Sequence, residues 1–314
     1  MRLLVTGGAG FIGSNLVDAL VRRGDHVAVL DDLSSGRREN LAGAFDAGVD
    51  LIEGDVADAD SVGRAFSSAS PEAVIHLAAQ IDVRRSVADP VFDLGVNVGG
   101  TLNLLEAASA GGCSRFVFVS TGGAIYGEGA GRELPLDESA ECRPDAPYGQ
   151  SKRAAEGYVE LYGRLRGVPG VALRLGNVYG PRQDPYGEAG VVAIFSGALL
   201  GDGRPRVFGD GHQTRDYIYV GDVVDALCAG LDSDVGGVFN VGTGIETSVL
   251  ELGESIAAIC GREFDPEMAP PRAGEVERIA ISSAAAEREL GWRARTELGA
   301  GLERTVASVR DAGA

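Results

Sequence analysis

The sequence predicts an α/β fold, a doubly wound parallel sheet followed by a smaller C-terminal lobe. Three observations carry this reading: short β-rich runs alternate with helix-compatible ones, the runs are apolar almost throughout, and a glycine turn separates the first run from the first helix. Arg2 to Thr6, His26 to Leu30, Asp50 to Glu53, Ala73 to His76 and Phe116 to Ser120 read as strands. Each precedes a helical stretch. Strands joined this way lie parallel through right-handed crossovers, because tight hairpins cannot link parallel neighbours. The unbroken run Phe116-Val117-Phe118-Val119 fits burial on both faces of such a sheet.

Pro144 and Pro147 place a helix start just before Tyr148, which sets Tyr148 and Lys152 on one helical face. Val171 to Leu175 reads as a sixth strand, after which the chain turns Gly- and Pro-rich through Gly211. A second lobe starts there. The expected division is residues 1–176 with 214–241 returning to them, and a second lobe within 177–314, mainly 177–213 and 242–314. Tyr217 to Val220 and Val238 to Val241 are the segments expected to rejoin the sheet. From Glu246 onward the pattern is mostly helical, with a short strand near Ile279.

The 314 residues carry 46 acidic and 28 basic side chains, a formal charge of -18, and 45% are hydrophobic. So negative a surface repels phosphate polymers and anionic lipid, which predicts neither a nucleic-acid nor a membrane partner. Any phosphate-bearing ligand needs local donors. Cys113, Cys142, Cys228 and Cys260 are widely spaced and have no cluster with His26, His76 or His212, so neither a metal site nor a disulfide framework is expected. No apolar stretch approaches the roughly 20 residues of a membrane span. The first strand runs directly into the glycine turn with no room for a cleavable leader, and a cytoplasmic protein is expected.

Thr6-Gly7-Gly8-Ala9-Gly10-Phe11-Ile12-Gly13 lies between the first strand and the first helix. Glycines at this spacing allow a sharp turn and bring helix amides up to a pyrophosphate, the local donors that the net charge demands. Asp31 closes the second strand, where its carboxylate can accept from both ribose hydroxyls of NAD and would repel the 2′-phosphate of NADP. Arg37 and Arg38 are the groups that could instead hold that phosphate. Asp55, in Gly54-Asp55-Val56 after the third strand, either edges the adenine or caps the next helix.

Lys152 is the only lysine in the chain, and it follows Tyr148 by four residues. An ammonium beside a phenol can lower the phenol's pKa from about 10 toward neutrality. Together with the glycine turn, Asp31 to Gly36, His76-Leu77-Ala78-Ala79-Gln80, Asn97 and Gln213-Thr214-Arg215-Asp216-Tyr217, this pair resembles the extended short-chain dehydrogenase/reductase family, and within it the UDP-glucose 4-epimerases. The resemblance covers nearly the whole chain.

It implies a Rossmann-type domain holding NAD and a smaller lobe gripping a UDP-sugar. By this resemblance Gly7, Gly10, Phe11, Ile12 and Gly13 meet the pyrophosphate, while Asp31, Asp32, Leu33, Ser34, Ser35 and Gly36 hold the adenosine ribose. Asp55 and Val56 flank the adenine, Leu77, Ala78, Ala79 and Gln80 line the cofactor's path, and Asn97 braces the backbone near the site. His76 is read as structural. In the second lobe the resemblance assigns Asn177, Val191, Val192, Arg206, Val207, Phe208, Arg215, Arg272 and Glu275 to the nucleotide sugar, with Arg215 and Arg272 on the diphosphate. It also implies a homodimer through the helices around Asn97 to Ala110 and from Tyr148.

The chemistry so implied is inversion at C4 of UDP-glucose and UDP-galactose through a transient 4-keto sugar. Tyr148 takes the 4-hydroxyl proton and Lys152 polarises the phenol and holds the nicotinamide ribose. The third position departs from the family pattern. Gly122 stands where a Ser or Thr usually bonds the reacting hydroxyl, so Thr121 is expected to reach the sugar in its place. Gly122-Gly123 also disfavours sugar 4,6-dehydratases, which use an Asp-Glu pair after the threonine. Ile279 aligns with a bulky tyrosine that limits the sugar's 2-position in some epimerases, and Arg84 and Arg85 could meet a sugar carboxylate. UDP-N-acetylhexosamine and UDP-glucuronate therefore stay open as substrates, as does a non-catalytic NAD-binding regulator on the same fold.

Overall fold

The computed structural model describes residues 1–184, 190–201, 203–272 and 276–313. Its strands in chain order are β1 (Arg2–Thr6), β2 (His26–Asp31), β3 (Asp50–Glu53), β4 (Ala73–His76), β5 (Arg115–Thr121), β6 (Gly170–Leu175), β7 (Asn177–Tyr179), β8 (Arg206–Phe208), β9 (Thr214–Arg215), β10 (Tyr217–Tyr219), β11 (Gly237–Val241), β12 (Thr247–Ser248) and β13 (Glu267–Ala269). Seven form one parallel sheet in the order β3-β2-β1-β4-β5-β6-β11. The order reverses between β1 and β4. At such a switch point the loops leaving neighbouring strands diverge and open a crevice at their C-terminal ends.

Alternate residues of each strand face opposite layers. Leu3 and Val5 of β1 join Val29, Ile75, Val117 and Leu173 in one buried layer, and Leu4 joins Leu30, Val74, Phe116 and Phe118 in the other. Both faces are covered, which is why these strands read as unbroken apolar runs. Among the described residues no helix is long and apolar enough to cross a membrane.

The second lobe has its own core, in which Val192, Phe195 and Leu199 pack with Val207, Leu252, Ile256 and Leu302. Two expectations are corrected here. Val238 to Val241 does edge the large sheet as β11, but Tyr217–Tyr219 pairs with β7 in a separate two-stranded sheet. Tyr217 is drawn into the second-lobe core, away from the sheet edge. Near Ile279 no strand forms: Arg278 bridges to Thr214 while Ile281 bridges to Leu136. The chain changes partner within three steps, too quickly for a ladder to build.

Candidate active site

The crevice begins at the turn after β1. Gly7 has φ of 68°, and a Cβ there would lie 2.7 Å from the Ala78 amide nitrogen. A Cβ on Gly13 would lie 2.1 Å from the Gly7 carbonyl oxygen. Only glycine fits either position. Gly10 caps the helix Phe11–Arg23 without a side-chain hydrogen bond, so the first-turn amides of Phe11, Ile12 and Gly13 are donors that the helix itself does not use. This cradle suits a pyrophosphate.

Asp31 ends β2 beside it and is buried. Its two carboxylate oxygens accept from the amides of Ala9 at 2.8 Å and Leu33 at 2.9 Å. Burial raises its pKa, the two amides oppose that rise, and the Asp32 charge adds to it. Asp32 in turn accepts from Ser34 through both amide and hydroxyl, and Leu33 adopts a φ of 57° to make this bend. Ser35 is exposed, and a Cβ on Gly36 would press on the Asp31 carboxylate at 2.7 Å. Arg37 pairs with Asp184 at 3.0 Å, and Arg38 pairs with Glu53 and lies over Phe45. Both arginines thus have acidic partners, and the donors and Asp31 together fit NAD.

Asp55 is not a helix cap. Its side chain accepts from Ala57 in a local turn, whereas Asp58 caps the helix Ala59–Ala69. Val56 is buried against Gly100, leaving exposed Asp55 as the member of that pair at the surface. Leu77, Ala78 and Ala79 are half-buried along the crevice, and the Ala78 amide donates to Thr6 Oγ1. Gln80 turns away from the crevice: its side chain binds Asp82 and Asp93, and its backbone exchanges hydrogen bonds with the Asn97 side chain. Asn97 sits within a π-helical turn, Gly95–Gly99, that the sequence reading had as regular helix.

Helix Pro147–Arg166 lines the other side of the crevice, and Tyr148 and Lys152 are one turn apart on it. The Thr121 side chain lies beside the Tyr148 phenol, close enough to favour its ionised form. Tyr148 as a whole is half-buried. Burial pushes the phenol up to about 12, against the influence of the Thr121 side chain and with help from the Asp93 charge. Lys152 is not among the protein groups that shift it. Lys152 instead donates from Nζ to the Val119 carbonyl at 2.9 Å and lies 4.8 Å from the Phe118 ring centre. Burial lowers Lys152 to about 8, and Asp93 and Glu156 hold it from falling further.

Beneath Lys152, Glu156 and Arg174 form a buried two-pronged ion pair at 2.7 and 2.9 Å. Ser120 donates to Glu156, and Arg174 also reaches the Tyr126 hydroxyl at 2.8 Å. Burial works against the Arg174 charge, yet Glu156 and Tyr126 more than offset it and its pKa is raised. His76 is held between the Thr6 and Thr101 hydroxyls, and burial, aided by the Lys152 charge, depresses it to about 3, so it stays neutral. Sequence reading did not single out Glu156, Arg174 or Asp93. Glu156 had a signal, since it continues the spacing of Tyr148 and Lys152 by one more turn.

Across the crevice, Asp216 ties the second lobe together. Its carboxylate accepts from Thr243, Gly244 and Ile281, and its carbonyl accepts from the Asn177 amide. Asn177 and half-buried Arg215 therefore share one rim, with Arg215 Nη1 on the Thr214 carbonyl at 2.8 Å. Arg272 lies 3.8 Å over the Phe208 ring, and Arg206 pairs with Glu267 at 3.1 Å. Val191 opens the helix Val191–Leu200 and is half-buried. Val192 and Val207, by contrast, point into the second-lobe core, so their side chains present no surface to a ligand. Glu275 lies outside the described residues.

Ile279 is likewise buried, packed with Ile125, Tyr126, Leu136 and Ile281, and it is not placed to limit the sugar. Arg85 stacks on Phe92 and Arg84 approaches Asp82, so each has a partner on its own surface.

A switch-point crevice with a glycine cradle on one wall and a Tyr-Lys helix on the other defines a dinucleotide-dependent class of enzyme fold. Residues 3–242 match the NAD dependent epimerase/dehydratase family, and the chain belongs to it. It is 47% identical to a UDP-glucose 4-epimerase of Mycolicibacterium smegmatis, over 99% of both chains. Among solved structures it is similar to UDP-glucose 4-epimerase of Thermotoga maritima with UDP-glucose, at a TM-score of 0.95, 43% identity and 100% coverage of both chains. It is also similar to UDP-glucose 4-epimerase of Thermus thermophilus in complex with NAD, at a TM-score of 0.92 and 46% identity, over 99% of this chain and 100% of that one.

Proposed function

We propose that this chain is an NAD-dependent nucleotide-sugar 4-epimerase that interconverts UDP-glucose and UDP-galactose through a transient 4-keto sugar. The observation that carries the reading is Tyr148 one helical turn from buried Lys152 with Thr121 beside its phenol, in a sheet whose first turn is the glycine cradle. NAD, when bound, supplies the acceptor that takes a hydride from C4 and gives it back, and a positive ring charge. The amides of Phe11, Ile12 and Gly13 hold the pyrophosphate, and Asp31 accepts from the adenosine ribose. Arg215 and Arg272 hold the sugar diphosphate, with Asn177 and Phe208 beside it.

Tyr148 takes the proton of the sugar 4-hydroxyl and returns it after the 4-keto sugar has turned over. A phenol held this high by the protein's own groups keeps a captured proton firmly; releasing it again at neutral pH requires added positive charge close by. Thr121 aligns the two hydroxyls. Replacing Thr121 by Ala lowers kcat/KM roughly 10²-fold in steady-state assays, the scale of one oriented donor at a reacting oxygen; unchanged turnover removes Thr121 from the mechanism.

Incubating the purified protein with UDP-glucose and separating the products tests the function directly. UDP-galactose forming to equilibrium without added reductant is the expected result. NAD binding with inversion of none of UDP-glucose, UDP-glucuronate and UDP-N-acetylhexosamine would favour the regulator reading.

The homodimer belongs to the same proposal. Val83, Val87, Val91 and Leu94 are exposed along the helices Val83–Ala88 and Pro90–Leu94, and Tyr158 and Leu165 are exposed on the helix that carries Tyr148. Apolar surface of this extent on neighbouring helices suits a second copy of the chain. Light scattering is expected to give twice the 32.4 kDa chain mass; a monomer at working concentration refutes it.

A further inference from the structure

One buried carboxylate has no task in the reading above. Asp93, in the short helix Pro90–Leu94, is 0% exposed. Its Oδ2 accepts from Ser151 Oγ at 2.6 Å, and its Oδ1 accepts from Gln80 Nε2 at 2.9 Å and Asn97 Nδ2 at 3.0 Å. All three are neutral donors, so none of them is a cation matched to the carboxylate. Ser151 immediately precedes Lys152, which hangs the Asp93 carboxylate on the helical turn that carries Tyr148 and Lys152.

We propose that Asp93, hydrogen-bonded to the neighbouring Ser151, is a positioning residue whose charge holds the buried Lys152 ammonium beside Tyr148. The proposal rests on reading Tyr148 and Lys152 as the proton-handling pair. A lysine buried without an opposite charge gives up its proton, because the low-dielectric interior penalises the ammonium. The groups around Lys152 narrow the source of that charge. β5 offers only the Val119 carbonyl and the Phe118 ring, and from β4 comes His76, neutral at about 3. Its own helix brings Tyr148 and Glu156, but Glu156 is matched by Arg174 of β6 at 2.7 Å. Asp93 remains as the acid with no matching cation among its contacts. In agreement, its charge is the largest influence opposing burial at Lys152, and it acts on Tyr148 as well.

Because Lys152 is the only lysine, protein grown on ¹³C-labelled lysine gives one side-chain Cε resonance, whose shift with pH reads this ammonium alone. Asp93→Asn keeps the shape: the amide oxygen can still accept from Gln80 and Asn97, and the Ser151 hydroxyl can turn to accept. The midpoint is expected to fall by about one pH unit or more in that variant. Ser151→Ala keeps the charge and removes a hydrogen bond, and its midpoint should stay at the wild-type value. An unmoved midpoint in folded Asp93→Asn overturns the proposal, as does an equal fall in Ser151→Ala. Should Asp93→Asn not fold, Asp93→Ser is the second neutral variant: a fall of about one unit or more supports the proposal and an unmoved midpoint overturns it. The resonance needs no turnover, so protein that inverts no sugar still gives an answer here, and failure of the epimerase reading is seen separately.

Discussion

Tyr148→Phe is expected to lower sugar inversion by about 10³-fold or more while NAD binding persists, since loss of a positioned acid-base group costs on this scale. Phenylalanine keeps the ring and its packing on the helix Pro147–Arg166 and removes only the hydroxyl that Thr121 meets. The glycine cradle and Asp31 lie on other elements and are untouched. Turnover is checked by product separation, and cofactor retention by absorbance and by fluorescence titration. Substantial inversion by the variant would move the proton to another group, and Thr121 would be the next to test. Loss of NAD along with activity would instead mean that the hydroxyl is needed to hold the cofactor.

The largest effect on stability is expected from Arg174→Met, which should cost about 3–5 kcal/mol because it leaves a buried carboxylate without its cation. Glu156 would retain Ser120 as a donor but lose both prongs of the guanidinium, and Tyr126 would lose its contact at 2.8 Å. Arg174 lies on β6 and Glu156 on the helix that carries Tyr148, so the pair anchors that helix to the sheet directly below the site. Chemical denaturation of wild type and variant reads the difference. A loss below about 1 kcal/mol would mean that the site relaxes or admits water, as surface pairs do.

Much of the frame was legible because burial on both faces writes itself as unbroken apolar runs, and six of the strands in the large sheet follow that pattern closely. The glycine turn was legible for a steric reason, since Gly7 and Gly13 occupy places closed to any Cβ. What spacing could not tell was the direction of a side chain. Val192 and Val207 share a lobe with Arg215 and Arg272 but turn inward, and Ile279 does the same. Nor could spacing show that the Lys152 amine is hydrogen-bonded to the Val119 carbonyl, since that depends on where β5 lies. Asp93 was invisible for a related reason. It meets Ser151 across 58 positions of chain, and before folding it resembles any acid near the start of a helix.

The floor of the crevice is interlocked. A Cβ at Gly122 would come within 2.5 Å of Ile281 Cδ1, and Ile281 is itself fixed by its amide on Asp216. A side chain placed at 122 must therefore displace the tip of Ile281, by swinging it aside or by trimming it. Positions 122 and 281, 159 residues apart in the chain, are thus sterically coupled, and what either can hold depends on the rotamer of the other.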